Sequence, residues 1–286
     1  MLSNHHCHSE FCDGKASAAR MAAEAHALGF SILGFSSHAP LPFLTEWTMD
    51  EERLGDYADT VRALAREYSP SMEILLGLEI DYIEGLCGPA DRRFASMKLD
   101  YSIGSVHHLR PEALGDQGVG DEPLATVDGP QEGFDALIAR GYGGDGLAMA
   151  EDYYRTLAAC VRAGGFDILG HFDLVRKNNP GQSRFSERDA RYADAAMAAV
   201  DAIAGSGIIV EINTGGMARG KTSSPYPEAW ILKEMKARNI EVCVNSDAHD
   251  PGHLLAYRDA GLKAAADAGY RELCILTAQG RRRVAL

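Results

Sequence analysis

The chain has 286 residues, 46% of them hydrophobic, and a formal net charge of −13. This length suits one α/β barrel, and the negative charge argues against a protein that binds a nucleic acid polymer through a basic face. The chain contains no run of 18 apolar residues, so we expect no membrane span. The first residues lack the basic start and apolar stretch of a signal peptide. With six scattered cysteines and no C-x-x-C spacing, we expect a cytoplasmic protein with reduced thiols.

Histidines concentrate at the very beginning of the chain, where His5, His6 and His8 fall within four positions. Residues two apart in a strand point to the same face, so His6 and His8 offer two imidazoles to one metal ion. A metal ion needs further ligands, and we expect other strands to supply them.

Short apolar runs alternate with amphipathic helical patterns along the rest of the chain. The pattern predicts strands over residues 31–38, 73–81, 101–107, 166–171, 207–213, 240–247 and 272–277. It predicts helices over residues 16–28, 50–68, 151–163, 187–204, 227–238 and 252–268. Repeated β-α units indicate a parallel barrel or a doubly wound sheet, within one domain that covers residues 1–286.

Residues 109–150 interrupt this rhythm with many glycines and several acidic residues. We interpret them as a loop excursion at the end of a strand. A lid or partner surface and a mobile acidic loop without catalytic meaning are both compatible with the composition.

Residues that bind metals recur at the ends of the predicted strands. They are His6, His8, His38, Glu79, His107, His108, His171, Asp247 and His249. In an α/β barrel the carboxyl ends of all strands meet at one mouth, so these side chains converge wherever they lie in the chain. Because a zinc ion takes about four ligands, the set predicts two or three ions that share a bridging carboxylate, for which Glu79 is best placed.

Seven motifs then identify a resemblance to the polymerase-and-histidinol-phosphatase (PHP) family, in its histidinol-phosphatase branch. They lie in order over nearly the whole chain, at residues 6–14, 36–40, 77–79, 104–107, 169–173, 211–214 and 245–249. The resemblance implies a distorted (β/α)7 barrel, similar to a TIM barrel, with a three-metal cluster at the carboxyl ends of the strands.

The resemblance also implies how the ligands are shared among the metals. One metal would take His6, His8, Glu79 and Asp247, and a second would share Glu79 and take His107 and His171. A third would take His38, His249 and a residue of the first loop. Some members have a histidine at the position of Gly14, so Asp13 is the expected substitute here.

Adjacent divalent ions give hydroxide at neutral pH and clamp the attacking and leaving oxygens of a phosphoryl displacement. Imidazole and carboxylate ligands fit Zn, Fe or Mn. Glu79, Asp247 and His249 form the predicted catalytic set, with Asp247 or His249 either protonating the leaving alkoxide or serving only as a ligand.

The substrate phosphate requires cationic donors near the mouth. Arg176 and Arg219 follow strands and are predicted to bind it, whereas Lys177 and Lys221 are predicted to be surface residues. His108 and Asn213 complete the predicted substrate-binding set. Acidic residues near the mouth would receive a substrate amine, and the candidates are Glu10, Asp13, Asp81 and Asp173.

We therefore expect a metal-dependent phosphomonoesterase that acts on a small molecule. The resemblance implies that this molecule is L-histidinol phosphate and that the reaction belongs to histidine biosynthesis. The alternatives are a PHP phosphoesterase for nucleotides or other small phosphate esters, a barrel amidohydrolase, and a non-catalytic metal-binding barrel. The amidohydrolase is disfavoured by Glu79, which stands where that class commonly uses a lysine, and the non-catalytic barrel is disfavoured by Arg176 and Arg219. The oligomeric state stays open.

Overall fold

The computed structural model describes residues 1–115 and 125–286. Its strands are β1 (Ser3–Asn4), β2 (Ile32–Phe35), β3 (Glu73–Leu76), β4 (Glu79–Asp81), β5 (Ile103–Ser105), β6 (His108–Leu109), β7 (Ala125–Thr126), β8 (Ile168–Leu169), β9 (Ile209–Asn213), β10 (Val242–Asn245), β11 (Glu272–Thr277) and β12 (Gly280–Ala285). Its helices are α1 (Ala18–Ala27), α2 (Leu54–Tyr68), α3 (Gln131–Gly141), α4 (Gly146–Ala163), α5 (Ala190–Ile203), α6 (Gly215–Ala218), α7 (Ala229–Ala237) and α8 (Arg258–Asp267). Within these described ranges no helix has the length and apolar character to cross a membrane.

The parallel strands form two sheets, of order β1-β2-β3 and β10-β9-β8-β5-β4. Isolated parallel bridges link the sheets at both edges, between Cys7 and Ala248 and between His38 and Glu79. The strands therefore follow one another in a ring that single bridges complete, with β3 and β4 as two parts of one strand position. This arrangement confirms the α/β fold with parallel strands that the sequence predicts.

The interior of the ring is filled by one buried side chain from each of six strand positions, together with the chain's C-terminal hairpin. The strands contribute Ile32, Leu75, Ile103, Ile168, Ile209 and Cys243, and β11 adds Cys274, Ile275 and Leu276. The predicted last strand is thus present, but it pairs antiparallel with β12 instead of joining the parallel ring. The hairpin packs against the apolar interior, which leaves the polar strand ends free to build a site.

The six predicted helices are all present, with ends that differ by a few residues. The largest difference is in α8, which begins at Arg258 instead of Gly252, whereas α4 begins earlier than predicted, at Gly146 instead of Glu151. The Asp145 side chain accepts a hydrogen bond from the Ala148 amide at 3.0 Å, and such an N-cap lets the helix begin earlier.

Residues 109–150 contain regular structure in the part that the structure describes, whereas the sequence predicts a loop. Strand β7 pairs antiparallel with β6, and α3 buries Phe134, Leu137 and Ile138. The remainder of the excursion, residues 116–124, lies outside the described residues. The excursion is therefore paired with β6, directly after His107 and next to the predicted site.

Candidate metal centre

The His-x-His segment is fixed against the end of β10. The His8 amide donates to the Ala248 carbonyl at 2.9 Å, and the Ala248 amide donates to the His6 carbonyl at 3.2 Å. This pairing holds both imidazoles inside the ring, where His6 and His8 are fully buried. Asp247 and His249 flank Ala248, so the first and the last predicted ligands along the chain lie side by side.

Glu79 lies at the centre of the imidazoles and is 1% exposed. Its Oε2 atom lies 3.1 Å from His6 Nε2, 3.5 Å from His8 Nε2 and 3.0 Å from His38 Nδ1. One carboxylate oxygen therefore faces three ring nitrogens from two different strand ends.

The other oxygen of Glu79 faces a second group. Glu79 Oε1 lies 3.0 Å from His171 Nε2 and 3.6 Å from His107 Nε2, and these two nitrogens are 3.2 Å apart. Ser105 also donates a hydrogen bond to Oε1, at 2.7 Å. Glu79 thus has the geometry of a carboxylate shared between two clusters of imidazoles.

Asp247 and Asp13 extend the cluster on the side of the first loop. Asp247 Oδ1 lies 3.3 Å from His8 Nε2, and Asp13 Oδ1 lies 3.3 Å from His249 Nε2. Asp13 Oδ1 also lies 3.9 Å from His38 Nε2. The structure therefore brings Asp13 to the histidines of the predicted third metal.

The chemistry of these atoms fits divalent transition metal ions. The nitrogens His6 Nε2, His8 Nε2 and His38 Nδ1 and the oxygen Glu79 Oε2 are buried without a hydrogen-bond partner, which is costly unless a cation takes their lone pairs. Ligand atoms come within 4.8 Å of one another in three groups, namely His8, Asp13, His38 and His249; His6, His8 and Asp247; and His38, Glu79 and His107. His38 belongs to two of these groups, whereas the resemblance assigned it to one.

The ring nitrogens that point away from the cluster are held by two further carboxylates. Glu211 accepts from His6 Nδ1 at 2.9 Å, and Asp81 accepts from His107 Nδ1 at 2.8 Å. Such hydrogen bonds fix the tautomer and orientation of a metal-binding histidine. Glu211 had no predicted role, although an acidic residue inside the apolar run 207–213 was a usable signal.

The charges of neighbouring side chains shift the pKa values of Glu79 and His8. Burial opposes ionisation, yet the charges of His6 and His38 hold the pKa of the Glu79 carboxyl well below its usual range. Burial, with the nearby charges of His249 and His38, lowers the pKa of His8 to about 3. Glu79 is therefore ionised and His8 neutral at pH 7, the protonation states in which both side chains bind metals.

A pocket of about 370 Å³ opens over these side chains. The predicted ligands that line it are Asp13, His38, Glu79, His107, His171, Asp247 and His249. Besides Arg219, the other residues that line it are Lys15, Trp47, Thr126, Asp128, Gly129, Pro130, Leu174, Lys177, Asp250 and His253. Four of these belong to the excursion, so that segment forms one wall of the pocket.

The two arginines predicted to bind phosphate lie in different surroundings. Arg219 lines the pocket, and its Nη2 atom donates to Asp247 Oδ2 at 2.8 Å. Arg176 does not line the pocket. Instead it is 8% exposed and pairs with Asp173 at 3.0 Å, Glu187 at 3.1 Å and Glu228 at 2.7 Å. Because its guanidinium pairs with three carboxylates, the structure favours a structural role for Arg176. Lys177, which was predicted to be a surface residue, lies in the pocket wall instead.

His108 and Asn213, the other predicted substrate-binding residues, lie behind the pocket. His108 is 1% exposed and stacks on Trp47 with ring centroids 5.7 Å apart. Asn213 is fully buried and donates from Nδ2 to Glu211 Oε1 at 2.7 Å. Both side chains are buried behind the pocket wall, where they contact and position neighbouring residues. Their burial argues against the predicted direct contact with a substrate.

Comparison with known proteins agrees with this geometry. The sequence model of the PHP domain matches residues 4–215. A probable histidinol-phosphatase of Deinococcus radiodurans is 30% identical over 94% of this chain and 95% of that protein. A histidinol-phosphatase of Bacillus subtilis is 29% identical over 86% of this chain and 93% of that protein.

Two solved structures share the fold. A putative histidinol phosphatase from Listeria monocytogenes superposes with a TM-score of 0.74 at 21% identity, over 90% of this chain and 99% of that chain. A histidinol phosphate phosphatase from Lactococcus lactis, complexed with Zn, L-histidinol and phosphate, superposes with a TM-score of 0.68 at 20% identity, over 98% of both chains. On the match of the family model and the identity to the Deinococcus protein, this chain belongs to the PHP family.

Proposed function

We propose that the protein is a metal-dependent phosphomonoesterase that hydrolyses L-histidinol phosphate to L-histidinol and phosphate. The observation that carries the reaction class is Glu79, whose two carboxylate oxygens face two separate clusters of imidazoles on the floor of a pocket. The substrate is proposed from the curated relatives, which are named histidinol-phosphatase.

The donor set would hold two or three divalent transition metal ions, of which Zn, Fe and Mn suit imidazole and carboxylate ligands. Such ions, when bound, lower the pKa of a water and neutralise the charge of a phosphate ester. We propose as ligands His6, His8, Asp13, His38, Glu79, His107, His171, Asp247 and His249. Glu211 and Asp81 orient His6 and His107 from behind through their Nδ1 atoms.

Arg219 is the proposed phosphate-binding residue, because its guanidinium lines the pocket beside the metal centre. Its partner Asp247 is ionised, since Arg219 and His6 hold the pKa of that carboxyl well below its usual range although burial opposes this. An ionised Asp247 cannot donate a proton. Of the two roles predicted for Asp247, this supports that of a ligand, and His249 is likewise proposed as a ligand.

The cytoplasmic location and the single domain stay predictions. All six cysteines are free thiols, which agrees with a reducing compartment.

A phosphate-release assay tests the proposed function. Histidinol phosphate, mononucleotides and p-nitrophenyl phosphate are compared as substrates, with the enzyme as purified, after chelation, and after return of Zn, Mn or Fe. We expect a kcat/KM for histidinol phosphate at least about 100-fold above that for nucleotides, which corresponds to about 2.7 kcal/mol. Activity should disappear on chelation and return with metal.

Glu79→Gln tests the bridging carboxylate in the same assay. The variant should lose at least one metal ion per chain by elemental analysis and nearly all turnover, because an amide cannot supply two anionic ligand oxygens. Glu67→Gln, on the exposed face of α2, is the matched control and should retain both. Full turnover by Glu79→Gln, or phosphate release that survives complete metal removal, would refute the metal-dependent mechanism.

A further inference from the structure

One acidic side chain at the pocket stands apart from the metal centre. The carboxylates that line the pocket are Asp13, Glu79, Asp128, Asp247 and Asp250. Asp13, Glu79 and Asp247 belong to the groups that can hold a metal, and Asp250 accepts a hydrogen bond from the Gly252 amide at 2.9 Å. Asp128 has neither role, and its side chain pairs with Lys177 instead.

The backbone next to Asp128 is hydrogen-bonded to the backbone of His107, a histidine of the metal centre. The Val127 amide donates to the His107 carbonyl at 2.8 Å, next to the pairing of Thr126 with His108. Asn178 Nδ2 donates to the carbonyls of Val127 at 3.2 Å and Gly129 at 2.9 Å. The carboxylate therefore stands at a defined position relative to His107.

Lys177 anchors one oxygen of this carboxylate. Lys177 Nζ lies 3.1 Å from Asp128 Oδ2, and the Asp128 and Lys177 side chains are 27% and 15% exposed. Burial opposes ionisation, but the charges of Lys177 and His107 lower the pKa of the Asp128 carboxyl. Across residues 1–115 and 125–286 the carboxylate receives no second side-chain hydrogen bond, which leaves Oδ1 able to accept one from a ligand.

Three of the acidic residues predicted to receive a substrate amine are engaged elsewhere. Glu10 accepts from the Ala18 amide at 2.6 Å at the start of α1. Asp81 accepts from His107 Nδ1, and Asp173 pairs with Arg176 at 3.0 Å. The fourth, Asp13, stands among the histidines of the metal centre. Among the described residues, Asp128 is then the pocket carboxylate that neither caps a backbone amide nor belongs to a metal group, and its Oδ1 accepts no hydrogen bond.

We propose that Asp128 is a specificity-determining residue that binds the ammonium group of an aminoalkyl phosphate monoester while the phosphate lies at the metal centre. This inference rests on the proposed function. Lys177 holds Oδ2 in this arrangement, which leaves Oδ1 to accept from the ammonium group. The pocket would thereby select phosphate esters that carry a cation a few bonds from the phosphate and disfavour esters without one.

Two esters that differ only in the amine test this directly, namely L-histidinol phosphate and 3-(imidazol-4-yl)propyl phosphate. The wild-type protein should prefer the amine-bearing ester, and Asp128→Asn should reduce that preference in kcat/KM about 10- to 100-fold, since a hydrogen bond to a charged group is lost. The loss should appear in KM for histidinol phosphate. The rate with the amine-free ester should change little.

Asp135→Asn is the matched control, because Asp135 lies in the same excursion but pairs with Arg184 outside the pocket. It should retain the preference. Lys177→Met removes the other partner of the ion pair. This variant should also retain most of the preference for the amine-bearing ester, because Asp128 keeps its charge.

The role of Asp128 is overturned if Asp128→Asn slows both esters equally, or if Lys177→Met abolishes the preference as completely as Asp128→Asn does. If the wild-type protein hydrolyses both esters equally well, Asp128 is not a specificity residue although the protein is a phosphatase. If it hydrolyses neither, the proposed function itself fails.

Discussion

Glu211 connects several parts of the metal centre from behind. Besides accepting from His6 Nδ1, its carboxylate accepts from the His171 amide at 2.8 Å, Asn213 Nδ2 at 2.7 Å and Asn245 Nδ2 at 2.9 Å. These contacts join the ends of four strands through one fully buried side chain. A carboxylate behind a metal-binding histidine raises the basicity of the ring and fixes its orientation.

We predict that Glu211→Gln weakens metal binding about 10- to 100-fold without removing a ligand. The amide still fills the space, but it lacks the charge that favours His6 as a donor. Metal retention after dialysis against a weak chelator measures this, and excess metal should restore most of the activity. Glu241→Gln, at the opposite end of β10 and paired with Arg283, is the control and should behave as wild type. Equal metal retention by both variants would contradict the role given to Glu211.

The opposite roles of the neighbours Arg176 and Lys177 could not be predicted from the sequence. Arg176 and Lys177 follow the same strand, and charge type favoured Arg176 for phosphate binding. In the structure, a short 3-10 turn over Leu174–Arg176 turns Arg176 toward carboxylates and Lys177 toward the pocket. The direction of a side chain in such a turn depends on its three-dimensional contacts, so neighbouring residues can take opposite roles.

At the scale of the element, the strand ends were predictable and the excursion was not. His6 and His8 reveal their common face through a spacing of two, and His38, Glu79 and His171 each follow a recognisable apolar run. The pairing of β6 with β7 involves two residues from each strand, and such short contacts leave no periodic pattern. Asp128 could therefore be recognised only once this pairing had placed it at the pocket.

Arg176 shows how the loops around the mouth are held together. It joins Asp173, which follows β8, to Glu187, which precedes α5, and to Glu228, which precedes α7. Burial raises the pKa of Asp173 to about 6 in spite of the Arg176 charge. A buried carboxylate of this kind is stable beside its arginine and costly without it.

We predict that Arg176→Met lowers the free energy of unfolding by about 3–5 kcal/mol, because Asp173 is left buried without its partner. Urea denaturation measures the loss. At a temperature where the variant is folded, its KM for phosphate esters should stay within about threefold of wild type, as expected for a residue outside the pocket. Arg184→Met, which breaks the exposed pair with Asp135, should cost far less. A rise in KM of tenfold or more with unchanged stability would return Arg176 to the substrate-binding set.

At the scale of the whole molecule, the fold confines a large negative charge to the centre of the ring. Glu79, Asp81, Glu211 and Asp247 are each at most 5% exposed, in a chain whose net charge is already −13. Buried carboxylates destabilise a protein unless cations compensate them. The surrounding imidazoles compensate only in part, since burial and its histidine neighbours hold His8 neutral. Metal binding should therefore contribute to folding stability as well as to catalysis.

We predict that removal of the metals lowers the melting temperature by about 5 °C or more. Occupancy at 100 times the dissociation constant stabilises a native protein by about 2.7 kcal/mol per site, and in a chain of this size each kcal/mol shifts the midpoint by about 2 °C. Differential scanning calorimetry before and after chelation measures the shift, with elemental analysis to confirm that the ions have left. Glu79→Gln should show a smaller shift, because the bridging ligand is already lost and fewer ions can be removed. An unchanged midpoint after complete removal would mean that the imidazoles alone compensate the buried carboxylates.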